Sequence, residues 1–405
     1  DKLFGKSFTA QEIITAKKLF ILLVVNVSLI VFNDFFSGIP KGHEKFAVVN
    51  GVSTVKLILR ILTMVILLKL GFKSVAIVLV DVMLSVAILL FNAFYDFVII
   101  KERIKYHYFD KELFLSSLSF SLAIFLQAIV NQVNQNMDNM ILGVMTESKI
   151  VAVYSVALVI YTTYNSVTSV FASVFTPKAT QMLAKGCSDE ELTDLVSSVG
   201  RYQFMIIGLV LTGFIIFGKE FINLWLGHTY EPVYKICLIL LIPVTVPLIQ
   251  STCNAVLDAK MKRMGRSVIL IVMAVINFVS SVIFVKKFGY IGAAYGTSLS
   301  TIVGHIILIN IYYYKSIHLN VIKMFKDIFH KILIALIALS FVGIPIGKLT
   351  ITSNHWVSFI LKCFIYTLIY AVVIGVFALN KNERKSIKSI IKSLNKKFTF
   401  KRRTI

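Results

Sequence analysis

Residues Ser74–Phe94 read SVAIVLVDVMLSVAILLFNAF, an apolar run broken by one charged side chain, Asp81. Wound as a helix at about 1.5 Å per residue, it is about 30 Å long, the thickness of a bilayer's hydrocarbon core. A helix satisfies its own backbone polar groups, as hydrocarbon demands. Ten further runs of this kind follow or precede it: Leu19–Phe36, Phe46–Leu68, Leu113–Leu142, Ile150–Phe175, Gln203–Leu226, Ile236–Leu257, Ser267–Val285, Ile291–Ile311, Ile328–Ile346 and Trp356–Leu379. Alternating ten-residue segments of the membrane-barrel kind are absent from the sequence. The reading is an all-α, polytopic membrane helix bundle with eleven crossings.

Composition agrees. Of the 405 residues 57% are hydrophobic and 15% charged, whereas soluble domains carry about 25% charged residues. Soluble enzymes, disordered chains and disulfide-stapled secreted domains are excluded. Cys237, Cys253 and Cys363 sit in apolar runs and Cys187 in a polar stretch, without metal-ligand spacing.

Lys and Arg total 42 against 20 Asp and Glu, a net charge of +22. The tail Lys381–Ile405 holds ten basic residues and one acid, Glu383, and reads as a juxtamembrane segment attracted to anionic lipid. Nucleic acid is not an expected partner, because no basic stripe is interleaved with aromatics on a soluble module. With that tail in the cytoplasm, the inward loops carry seventeen Lys and Arg and the outward loops eight, as the positive-inside rule requires. The odd number of crossings leaves the N-terminus outside, with Lys2, Lys6, Lys17 and Lys18 on the disfavoured side. The expectation is an N-terminally truncated piece of a longer transporter. Ser188 and Glu191 have capping-box spacing, which predicts a short amphipathic helix on the inner membrane surface before the span at Gln203.

Catalytic signatures are missing: there is no HExxH or GxSxG, and Gly5-Lys6-Ser7 lacks the upstream glycine of a P-loop. The protein is not expected to be an enzyme. Polar groups inside spans are the sharper signal, because hydrocarbon penalises them unless they are paired or wet. Lys56 and Arg60, at i and i+4, share a face of the second span near mid-membrane. Either they line a water-filled cavity that receives a phosphate-bearing substrate, or they pair with Asp34, Asp81 or Asp96. On the fourth span Asn131, Asn134 and Asp138 repeat at helical spacing, and on the fifth Tyr154, Tyr161 and Asn165 do the same. In a hairpin the two polar faces meet at similar depth, forming a sugar- or ion-coordinating cavity or a helix pair joined by hydrogen bonds. Asp138 is a candidate for a coupling proton or sodium ion, and no other cofactor is expected. His305, alone within a span, reads as a helix–helix hydrogen bonder sooner than a proton relay. Pro243 and Pro247 favour a bend in the seventh span.

Three stretches carry a family resemblance: Phe35-Phe36-Ser37-Gly38 to Phe46; Asp138-Asn139-Met140-Ile141-Leu142-Gly143 with Val153-Tyr154-Ser155; and Asn254 to Lys262, Asn277, then Phe288-Gly289-Tyr290 through Gly296-Thr297. In order and spacing they resemble the polysaccharide (Wzx-type) flippases of the multidrug/oligosaccharidyl-lipid/polysaccharide exporter superfamily. The resemblance implies a two-lobed architecture of fourteen spans, of which the eleven are spans four to fourteen. Residues 1–100 would then be the remainder of the N-terminal lobe and 101–112 a cytoplasmic linker. The C-terminal lobe would be 113–314, followed by two additional spans in 315–380 and the basic tail 381–405. It implies flipping of a polyprenyl-pyrophosphate-linked oligosaccharide across the bacterial inner membrane by alternating access, for surface polysaccharide such as O-antigen or capsule. Partners would be that lipid-linked substrate, membrane lipids and polysaccharide polymerase machinery, with the C-terminus cytoplasmic. A multidrug or organic-cation exporter of the same superfamily is the first alternative. A membrane glycan polymerase or glycosyltransferase is the second.

Overall fold

The computed structural model describes residues 10–43, 45–72, 74–101, 110–112, 114–115, 118, 122, 132, 136–260, 262–380 and 383–384. Every regular element among them is helical, and ten helical stretches are long and apolar enough to cross a membrane. The expected crossing Leu113–Leu142 falls largely outside the described residues. The chain divides into two compact units, Asp1–Leu118 and Ser119–Ile405.

The first unit holds α1 (Ala10–Gly42), α2 (Phe46–Lys69) and α3 (Ser74–Phe94), which passes into a π turn at Tyr95–Ile100. Most large side chains of these helices face outward, as lipid-facing helices allow. What joins them is polar. Asn33 Nδ2 donates to Ser85 O (2.9 Å), Ser85 Oγ to Asn26 Oδ1 (2.8 Å), and Arg60 reaches Asp81 through two hydrogen bonds of 2.7 and 2.9 Å.

The second unit begins, among the described residues, with helical residues 136–145 (α4) and continues with α5 (Ser148–Ala184), α6 (Asp189–Leu226), α7 (Pro232–Ile249) and α8 (Ser251–Ala259). Then come α9 (Arg263–Phe288), α10 (Ile291–Thr301), which runs through a π segment, Ile302–Leu308, into α11 (Ile309–Ile317), and α12 (Val321–Phe329), α13 (Ile332–Lys348) and α14 (His355–Val373).

The expected surface helix at Ser188 is a correction. The capping box forms as read, but the helix it starts runs unbroken from Asp189 to Leu226. Its first turns are buried, Leu192, Val196 and Val199 included, against α12, so they are packed into the bundle and do not lie on a membrane surface. Nothing in 192–203 breaks a helix. Gly200 lets the backbone approach Ile328 and the Ile249 carbonyl, where a β-carbon would clash.

Pro243 and Pro247 both lie inside α7, which is helical from Pro232 to Ile249. Pro243 lacks the N–H that would bond the Ile239 carbonyl, and Ser298 Oγ of α10 donates to that carbonyl instead, at 2.6 Å. The helix then stops at Ile249 and restarts at Ser251.

Helices α9 and α10 form the tightest seam. Gly292 and Gly296, four apart, face the α9 backbone at Phe284 and Ser281, where any β-carbon would collide. Small residues at this spacing let membrane helices approach closely. We expect Gly296→Val to destabilise the protein by about 3 kcal/mol, whereas Gly213→Ala, with open space around it, is neutral or slightly stabilising. Thermal unfolding of the detergent-purified protein checks both; equal melting temperatures would show that the seam carries no stability.

Two ion pairs fasten the last helix to α6. Lys362, which the sequence left without a role, bonds Glu220 at 2.6 and 2.7 Å, and Arg201 meets Glu383 at 2.6 Å. Between them Tyr366 Oη donates to Thr212 Oγ1 (2.7 Å) and Tyr370 Oη to the Met205 carbonyl.

Candidate functional site

The second unit holds a half-open cavity of about 350 Å³, with polar and apolar walls, lined by α4, α5, α7, α8, α9 and the α10–α11 stretch. Around the break between α7 and α8, Pro247, Gln250, Ser251 and Asn254 all line the cavity. The π segment supplies another. A π turn rotates the residues after it relative to α-helical phase, and His305 within it lines the cavity.

At one end sits Asp138, buried on α4. Its Oδ2 accepts from Tyr154 Oη of α5 (2.6 Å) and from Thr297 Oγ1 of α10 (2.7 Å). Thr297 Oγ1 also lies 3.1 Å from Asn277 Oδ1 of α9, and Ser281 Oγ donates to that same amide oxygen at 3.0 Å. One carboxylate therefore ties α4, α5 and α10 together, with Asn277 of α9 set against Thr297. Its other oxygen, Oδ1, is buried and has no hydrogen-bond partner among the described residues. A buried carboxylate oxygen without a donor is costly, and the side chains linked to this carboxylate, Tyr154, Thr297, Asn277 and Ser281, meet one another through oxygens. An all-oxygen donor set suits a proton or a hard cation. Among the described residues no cluster of three or more His, Cys, Asp or Glu could hold a metal.

Of the residues singled out in the sequence, Asp138, Tyr161 and Asn165 line this cavity, and Tyr154 stands directly behind it on the carboxylate. Asn131 and Asn134 lie outside the described residues. Lys56 and Arg60 are in the other unit: Arg60 is paired with Asp81, one of the three partners weighed for it, and Lys56 donates to Ser85 Oγ at 3.3 Å. Asn277 and Thr297, which stood in the sequence only as part of a resemblance, complete the Asp138 cluster. Arg266, one of the seventeen basic residues assigned to inward loops, lines the cavity together with His305, Asn254 and Tyr313.

Residues 8–183 match the model of a family described as polysaccharide biosynthesis protein. The fold is shared with a solved structure of the lipid II flippase MurJ in an inward closed conformation, with a TM-score of 0.66 at 19% identity over 92% of this chain and 77% of that one. No curated protein matches the chain. The family match covers fewer than half of the residues and lies in line with the resemblance read from the sequence; the solved structure shares the fold, and the chain is a multi-pass helical membrane protein.

Proposed function

We propose that this chain is a transporter, not an enzyme, that flips a lipid-linked sugar between leaflets of a bacterial inner membrane by alternating access. The substrate class is a polyprenyl-pyrophosphate-linked oligosaccharide destined for a surface polysaccharide such as O-antigen or capsule. Lipids and the polymerase machinery are its partners, and its C-terminal tail is cytoplasmic. The supporting observation is the polysaccharide-biosynthesis match over 8–183 in a chain with the fold of a lipid II flippase. Physical chemistry favours the assignment: a glycan and pyrophosphate cannot cross hydrocarbon unaided, while polyprenyl can stay in lipid.

Asp138 is the proposed coupling site, for a proton or a sodium ion. A cation arriving at Oδ1 would neutralise a buried charge and weaken the hold of Oδ2 on Tyr154 and Thr297. The contacts among α4, α5 and α10 would change with occupancy, giving the ion differential affinity for two arrangements. Deleting the gene should cause the lipid-linked intermediate to accumulate in the inner leaflet and surface polysaccharide to disappear. Normal polysaccharide after deletion, in a strain without a second such transporter, would end this reading.

A further inference from the structure

The cavity has a second pole, of opposite character. Arg266 and Asn277 both line it from α9, and at about 1.5 Å per residue they stand about 16 Å apart. Asp138 at the Asn277 end is the one acidic side chain among the described residues of the cavity wall. Arg266 has no carboxylate and no hydrogen-bond acceptor among the described residues, and its Nε is completely buried. Buried guanidinium N–H groups without acceptors are costly. The position compounds the cost, because Arg266 lies in the first turn of α9, where the helix end already carries partial positive charge.

The geometry holds this charge in place. Tyr312 Oη donates to the Lys262 carbonyl (2.8 Å), Lys262 Nζ bonds the Ser316 carbonyl, and Lys260 Nζ reaches the Ile317 carbonyl at 3.1 Å. The start of α9 is thereby pinned to the end of α11, with Gly265 admitting the Tyr312 ring where a β-carbon would not. Neutral donors line the same cavity. Tyr313 Oη donates to Asn254 Oδ1 (3.1 Å), leaving the Asn254 amide hydrogens free, and Ser251 Oγ accepts from Gln203 Nε2 (2.7 Å), leaving its own hydrogen to donate. Fixed positive charge with surplus donors, and no acid paired with it among the described residues, calls for an anion with several acceptor oxygens.

We propose that Arg266, with Asn254, Ser251 and His305, forms a binding subsite for a phosphate or pyrophosphate group at this pole of the cavity. That the phosphate belongs to a carried lipid rests on the flippase reading; anion binding at Arg266 does not.

The test is calorimetric titration of the full, detergent-purified chain with inorganic pyrophosphate and, separately, with farnesyl diphosphate. Pyrophosphate should bind, and Arg266→Gln should weaken it tenfold or more. Arg266→Lys should restore part of the loss, while Lys287→Gln, an exposed cation at the other end of α9, should leave it unchanged. If Arg266→Gln elutes as a monodisperse protein and binds pyrophosphate within twofold of the unsubstituted chain, or if that chain binds none, the subsite is overturned. If Lys287→Gln weakens binding as much as Arg266→Gln, the attraction is general surface charge and the subsite is likewise overturned. Farnesyl diphosphate binding more tightly than pyrophosphate, with the same dependence on Arg266, assigns the lipid head group as the source. Equal or weaker binding leaves the anion subsite standing and counts against the lipid carrier alone.

Discussion

Replacing Asp138 with Asn should lower transport at least a hundredfold while leaving the protein as stable as before, or more so. The asymmetry follows from the geometry. Both hydrogen bonds to Asp138, from Tyr154 and Thr297, fall on the same oxygen, Oδ2. The amide oxygen of Asn can take that position and keep both. What is lost is the negative charge and the unpartnered Oδ1, which are costly to bury and add little to stability once removed. They are retained, in this reading, because a cation must come and go there. Two measurements decide it: delivery of lipid-linked sugar to the outer leaflet when the substituted gene replaces the native one, and the melting temperature of the purified protein. Transport within threefold of normal would reduce Asp138 to a structural tie among helices. A melting temperature lowered by many degrees would mean that the lost transport reports misfolding instead of lost coupling.

The apolar runs were legible because hydrocarbon leaves the chain so little choice. A stretch such as 74–94 has one satisfactory form, and its helix starts and ends within a residue of the expected limits. Asp138, Tyr154, Tyr161 and Asn165 stood out for the opposite reason: polar groups at helical spacing in an apolar context must meet each other or water. Their partners were invisible. Arg266 and Asn277 stand eleven residues apart on α9 and Thr297 on α10, and only the packing of α4, α5, α9 and α10 brings them to one cavity with Asp138. His305 was weighed as a helix–helix hydrogen bonder, but a π segment carries no one-dimensional signature, and in the structure it turns this side chain to the cavity. The capping box at Ser188 was read correctly, yet its amphipathic first turns looked like a surface helix, since the hydrophobic face is the same whether lipid or α12 covers it. Lys362 gave no clue to Glu220, 142 residues away in sequence.

Arg201 should prove the most costly single side chain to remove. Its guanidinium makes five hydrogen bonds: Nε to Glu383 Oε1 (2.6 Å), Nη2 to Glu383 Oε2 (3.2 Å) and the Ala378 carbonyl (2.7 Å), and Nη1 to the carbonyls of Asp327 (2.6 Å) and His330 (3.3 Å). The Asp327 and His330 carbonyls belong to the end of α12 and the turn before α13, where Lys331 takes a positive φ of 63°. The Ala378 carbonyl closes the π turn that ends the last span. One side chain on α6 thus satisfies two chain ends that otherwise have to bury bare carbonyls. The pair is about 95% buried on each side, so solvent screens little of it. Arg201→Met leaves Glu383 charged and unpaired, and we expect a loss of about 3–5 kcal/mol, as for other broken buried pairs. The double change Arg201→Met with Glu383→Leu should recover more than half of that, because the stranded charge goes with its partner. If the double variant is no more stable than the single one, the lost stability lies in the carbonyl contacts, and the ion pair adds nothing. If neither differs from the unsubstituted chain in unfolding, the last helix is held by its tyrosines and by Lys362 alone.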